Sequence, residues 1–160
     1  MTTSLANELK TLVGLRCWGV VAGVGNGSMV TLHIGQRIGR QPPLSNPNLP
    51  EELRMFHGEF CLFVKGCAWR LENSLHIVCG STNPEAEIGL KLTPGLTGAL
   101  ITEAQLCNWA GDLNVAFSNQ HVLRLFCDQT GEQAIDNYAV RFPSGWIKVG
   151  PDGVQSRTTA

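Results

Sequence analysis

The sequence predicts a mainly β (α+β) fold: two related antiparallel β units packed as a sandwich or half-open barrel, with a short N-terminal helix. Three observations predict it. Apolar residues recur with a period of two over much of the chain: Leu113, Val115 and Phe117 alternate with Asn114, Ala116 and Ser118, as in a strand with one wet face. Eighteen glycines and eight prolines punctuate these runs with turns. The two halves of the chain also resemble one another. With 160 residues, 43% of them apolar, the chain suits one domain over 1–160 with a real core.

Taken in order, Ser4 is the expected N-cap of a helix in which Leu5, Leu9, Leu12 and Val13 share one face, ended by Gly14. Strands are expected over 16–22, 29–34, 59–65, 68–72 and 75–79, the last two joined at Asn73-Ser74. Gly23 to Ser28 is glycine-rich but is followed by a strand, so it reads as a hairpin loop and not a phosphate cradle. Four prolines between Pro42 and Pro50 exclude helix and central strand there. One helical turn is expected after Pro50. Further strands are expected over 100–106, 112–117, 122–127, 138–142 and 146–149, with Ser118-Asn119-Gln120 as a hairpin turn.

The internal likeness begins with Leu12-Val13-Gly14 against Leu96-Thr97-Gly98. The same offset sets Gly27-Ser28-Met29 against Gly111-Asp112-Leu113, then Thr31 and His33 against Val115 and Phe117, then Ile38 and Arg40 against Val122 and Arg124. Farther on the register slips, so that Val64-Lys65 resembles Val140-Arg141 and Trp69-Arg70-Leu71 resembles Trp146-Ile147-Lys148. The chain therefore reads as a pseudo-repeat of 12–80 and 96–153. Two apolar sheet faces of this size are hidden by packing on each other.

Leu96-x-Gly-x-x-Ile101, the strand Gly111 to Phe117, the strand His121 to Phe126, Tyr138 and the segment Trp146 to Gly153 resemble a family of small bacterial β-rich proteins that includes candidate immunity proteins. The resemblance covers mainly 96–153. The Pro-rich insertion at 41–50, and Ser118-Asn119-Gln120 in place of an Asp-Gly turn, depart from it. It implies no catalytic residues. It implies a protein that binds a toxin or effector.

No motif reveals an activity. The cysteines at 17, 61, 67, 79, 107 and 127 form no Cys-x-x-Cys pair and read as reduced, mostly buried thiols, with no zinc spacing. His57, Glu59 and Cys61 invite a Cys–His nucleophile, but Glu59 and Cys61 share a face of one strand while His57 lies at its frayed start, so no catalysis is expected there. The expectation is no catalytic residue, no metal and no cofactor. Twelve Lys and Arg against thirteen Asp and Glu argue against a nucleic-acid partner. Met1 to Ser4 lacks the charge of a signal peptide and no apolar run is long enough for a membrane, so a cytoplasmic protein is expected.

By elimination, the expected function is non-enzymatic binding of another protein; what the resemblance implies makes this, most concretely, an immunity-type inhibitor of a bacterial toxin or effector. The alternatives are a small-molecule or peptide-binding module with its ligand between the sheets, or a structural subunit of a larger complex; a homodimer is also possible. The expected contact residues are Arg37 and Arg40 at the base of an extended Pro-rich arm, Leu44 and Leu49 on it, Trp109 beside a turn, and Asp128, Glu132 and Asp136 on an acidic loop. Trp69 and Trp146 are expected in the core.

Overall fold

A computed structural model describes residues 4–159. Helix α1 (Leu5–Leu9) runs into a short 3-10 turn (Lys10–Leu12), capped by the Ser4 hydroxyl, which accepts from the Asn7 amide. The strands are β1 (Cys17–Val21), β2 (Val30–Gly39), β3 (Phe56–Val64), β4 (Ala68–Glu72), β5 (Ile77–Gly80), β6 (Ile101–Leu106), β7 (Leu113–Phe117), β8 (Val122–Phe126), β9 (Tyr138–Phe142), β10 (Gly145–Val149) and β11 (Gln155–Thr159). They form two antiparallel sheets, ordered β1-β2-β3-β9-β10-β11 and β5-β4-β8-β7-β6, which pack as a sandwich and do not close into a barrel. Leu32, Leu62, Val140 and Ile147 of the six-stranded sheet meet Leu71, Val115, Leu123 and Leu125 of the other in one core. Period-two alternation selects these residues, and burying them removes their apolar surface from water at about 25 cal/mol per Å².

Helix α2 (Glu51–Met55) supplies the turn expected after Pro50. Helix α3 (Glu85–Leu96) was not expected. Its buried Ile88, Leu92 and Leu96 recur every four residues, but Gly89, Pro94 and Gly95 blur the helical signal. Gly89 packs closely on Gly23, just past β1: a β-carbon on Gly89 would lie 3.3 Å from the Gly23 Cα, and one on Gly23 2.9 Å from the Gly89 Cα. Strand β11 was also missed, because Gln155, Ser156, Arg157, Thr158 and Thr159 lie exposed along an edge and show no apolar alternation.

The strand order of the first half recurs in the second. In each, a helical segment leads into a three-stranded meander, β1-β2-β3 or β6-β7-β8, and the chain then crosses to the other sheet. There β4 pairs with β8, and β9 pairs with β3. The residue matches beyond position 34 do not follow this order. Ile38 lies in β2 and Val122 in β8, which corresponds to β3. Val64 ends β3, whereas Val140 lies in β9, which corresponds to β4. Trp69 lies in β4, whereas Trp146 lies in β10, which corresponds to β5. The mismatch starts where β2 runs on to Gly39, longer than any other strand.

Candidate functional site

The site begins at an irregularity between β2 and β3. The pairing shifts between Ile34 and Arg37, where Gly35 takes a φ of +81°, a conformation that glycine adopts without strain. Just before the bulge, His33 and Cys61 are direct cross-strand partners, and alternation turns both side chains away from the core onto the outer face of the six-stranded sheet. The Gly58 amide donates to His33 Nδ1 at 3.1 Å. Nδ1 is therefore the unprotonated nitrogen of the ring, and the Cys61 thiol lies 3.4 Å from it. Trp18 stacks on His33 with centroids 5.4 Å apart, and the Arg37 guanidinium lies 4.6 Å from the Trp18 ring centroid.

The Pro-rich segment covers this face. It does not project as an arm: the Arg40 amide donates to the Met55 carbonyl at 2.8 Å and the Leu44 amide to the Arg54 carbonyl at 2.9 Å. Arg40 Nε donates to the carbonyls of Leu53 and Phe56, at 3.1 and 3.2 Å. The segment thus forms a strap over the sheet. Beneath it lies a cavity of about 420 Å³ walled by Leu44, Leu49 and Leu53 above and by Phe63, Trp146 and the Cys61–His33 pair below. Arg40, His57 and Arg141 also face it, and its lining contains no Asp or Glu. His57 Nδ1 donates to the Gly58 carbonyl at 2.8 Å, which leaves Nε2 to accept from Arg141 at 3.4 Å. Neither Arg40 nor Arg141 meets a carboxylate among the described residues.

Both members of the Cys61–His33 pair are held neutral. Burial, reinforced by Arg40, His57 and Arg141, lowers the His33 pKa to about 4. Burial pushes the Cys61 thiol up, and Arg141 and Arg40 only partly offset this. The pair is a neutral thiol, which donates to the Gly58 carbonyl, beside a neutral imidazole, not a thiolate–imidazolium couple. Arg40 is itself pulled below the usual guanidinium range, first by burial.

A second, smaller cavity of about 290 Å³ lies along the same face beside Phe63 and Trp146, with Lys65, Lys148, Asp136 and Thr158 around it. Trp146 is therefore half-buried between two cavities and is not a core residue, whereas Trp69 is 2% exposed, with its indole N–H donating to the Ser28 carbonyl at 2.7 Å.

Of the residues singled out from sequence, Arg40, Leu44 and Leu49 line the first cavity and Asp136 the second. Arg37 is ion-paired with Glu52. Trp109 is 85% exposed at a turn, and Asp128 and Glu132 are exposed on a separate loop, where Asp128 Oδ1 accepts from the Ala68 amide. His33 and Arg141 were missed. The sequence groups Cys61 with His57 and Glu59 on its own strand; the structure pairs it with His33 from the neighbouring strand β2, 4% exposed as Cys61 also is. The glycine-rich hairpin loop holds the Glu85 carboxylate, which accepts from the Gly25 and Gly27 amides at 3.1 Å each. Among the described residues no three His, Cys, Asp or Glu gather as metal ligands, and no helix is long and apolar enough to cross a membrane.

The fold and this face define a two-sheet antiparallel β protein with a strapped, cation-lined cavity on its outer surface. Comparison with protein-family models, with curated proteins and with solved structures finds no match for the chain.

Proposed function

We propose that the protein is a non-enzymatic binding module for a small organic anion with an apolar body, held between the strap and the six-stranded sheet. One observation carries this reading: two guanidiniums, Arg40 and Arg141, face a largely apolar cavity that contains no carboxylate. Charges in such a setting are stabilised when an anion joins them, and arginine suits a carboxylate because its planar fork donates two parallel hydrogen bonds. The volume falls within the range of small-molecule sites. The ligand lies on the outer face of one sheet rather than between the two. Calorimetric titration with octanoate is expected to show saturable binding, and Arg141→Gln should weaken it at least about tenfold, or 1.4 kcal/mol. Absence of binding, or binding indifferent to Arg141→Gln, overturns the reading.

A second reading, protein binding as in an immunity-type inhibitor of a toxin or effector, is favoured by Trp109. Exposed tryptophans are frequent interface anchors. Its turn abuts the 3-10 turn Pro151–Gly153, whose Asp152 amide donates to the Gln129 carbonyl, so the acidic 128–136 loop lies at the same end. A partner retained equally by the native chain and by Trp109→Ala would eliminate this anchor.

A further inference from the structure

Building on the anion-binding reading, we infer that the ligand carries an anionic group at each end and lies across both cavities, with its apolar middle on Phe63 and Trp146. These two residues wall both cavities, so the cavities adjoin across them. Each cavity has a pair of cations: Arg40 with Arg141, and Lys65 with Lys148. Neither lysine forms an ion pair among the described residues, and Asp136 leaves the second end with a net positive charge.

The sheet register spaces the two cation pairs along the face. Arg141 on β9 opposes Cys61 on β3, and two residues back Ala139 opposes both Phe63 on β3 and Lys148 on β10. With about 3.4 Å per residue and about 4.8 Å between strands, the backbone at Lys148 lies about 8 Å from that at Arg141, and the backbone at Lys65 about 14 Å from it. A carboxylate held between Arg40 and Arg141 leaves the lysine pair at the other end without an anion. A linear dicarboxylate, or a flat ring bearing two anionic arms, meets both pairs. Aromatic and aliphatic surface between the ends would displace water from Phe63 and Trp146, and each carboxylate would meet its own cations.

The test compares suberate, a linear chain with a carboxylate at each end, with octanoate, a chain of the same length with one. Calorimetry is run on the native chain, on the Lys65→Gln/Lys148→Gln double variant and on Arg141→Gln, with circular dichroism confirming that each is folded. Suberate is expected to bind the native chain at least fivefold tighter than octanoate. The double lysine variant should erase that advantage and leave octanoate binding unchanged. Arg141→Gln should weaken both ligands. If both ligands bind equally well and both depend on Arg141, the two-ended ligand is overturned while the anion-binding reading stands. If suberate keeps its advantage in the lysine variant, the two-ended ligand is likewise overturned. If neither ligand binds the native chain, both readings fall.

Discussion

Arg16 and Leu100 face each other in an antiparallel bridge, and each is the other's counterpart at the offset that relates Gly14 to Gly98. The bonds around them are reciprocal. The Gly14 amide donates to the Ile101 carbonyl and the Gly98 amide to the Cys17 carbonyl, both at 2.7 Å. The Ile101 amide returns a bond to Leu15 and the Cys17 amide one to Ala99, at 2.8 and 2.9 Å. A local twofold therefore passes through this bridge, which ties the start of one sheet to the start of the other.

Gly14 and Gly98 hold φ values of +87° and +89°, and a β-carbon on either would meet no neighbour within 4 Å. Replacing either with alanine is thus a test of backbone conformation alone. Each substitution is expected to cost about 1–2 kcal/mol of unfolding free energy in urea, with little change in the m-value.

Stability should depend on pH through His33. Its folded pKa is lowered to about 4 from the usual 6.5, so the unfolded chain binds this proton first as pH falls. Stability from this group is complete above the unfolded value, declines as pH falls through the window between the two values, and levels off below the folded one. The loss is up to about 3 kcal/mol. Urea unfolding of the native chain and of His33→Asn at several pH values should show a steeper decline for the native chain within that window.

The tryptophans separate sharply. Trp69→Ala should cost about 3–5 kcal/mol, since it opens a cavity in the core and leaves the Ser28 carbonyl without its donor. Trp109→Ala should change stability by less than about 0.5 kcal/mol, because the ring is almost wholly in solvent. Denaturation midpoints of the two variants check this.

Thiol reactivity should follow access. The structure contains no disulfide: all six cysteines are free, Cys107 is exposed and Cys127 half-buried. Burial pushes Cys17 up to about 12, which keeps it protonated as well as inaccessible. Alkylation of the native protein, followed by peptide mass mapping, should label Cys107 first and Cys17, Cys61, Cys67 and Cys79 only after unfolding. Early labelling of Cys61 would show that the strap opens readily.

What the sequence by itself determined is local. The alternation of Leu113, Val115 and Phe117 set which face of β7 is buried, Ser4 and Gly14 bounded the first helix, and Asn73-Ser74 and Ser118-Asn119-Gln120 marked their hairpins. These signals act over a few residues, through capping, turn conformation and the two-residue period of a strand. Only the tertiary structure decided which strands became neighbours. His33 and Cys61 lie far apart in the chain, and Arg141 is more distant still; their meeting depends on β2, β3 and β9 pairing in one register, and on a bulge at Gly35 that frees no local signal to read. The strap is similar: four prolines excluded it from a sheet, but its place over the Cys61–His33 pair follows from hydrogen bonds to Leu53, Arg54, Met55 and Phe56, partners chosen by packing after the sheet has formed.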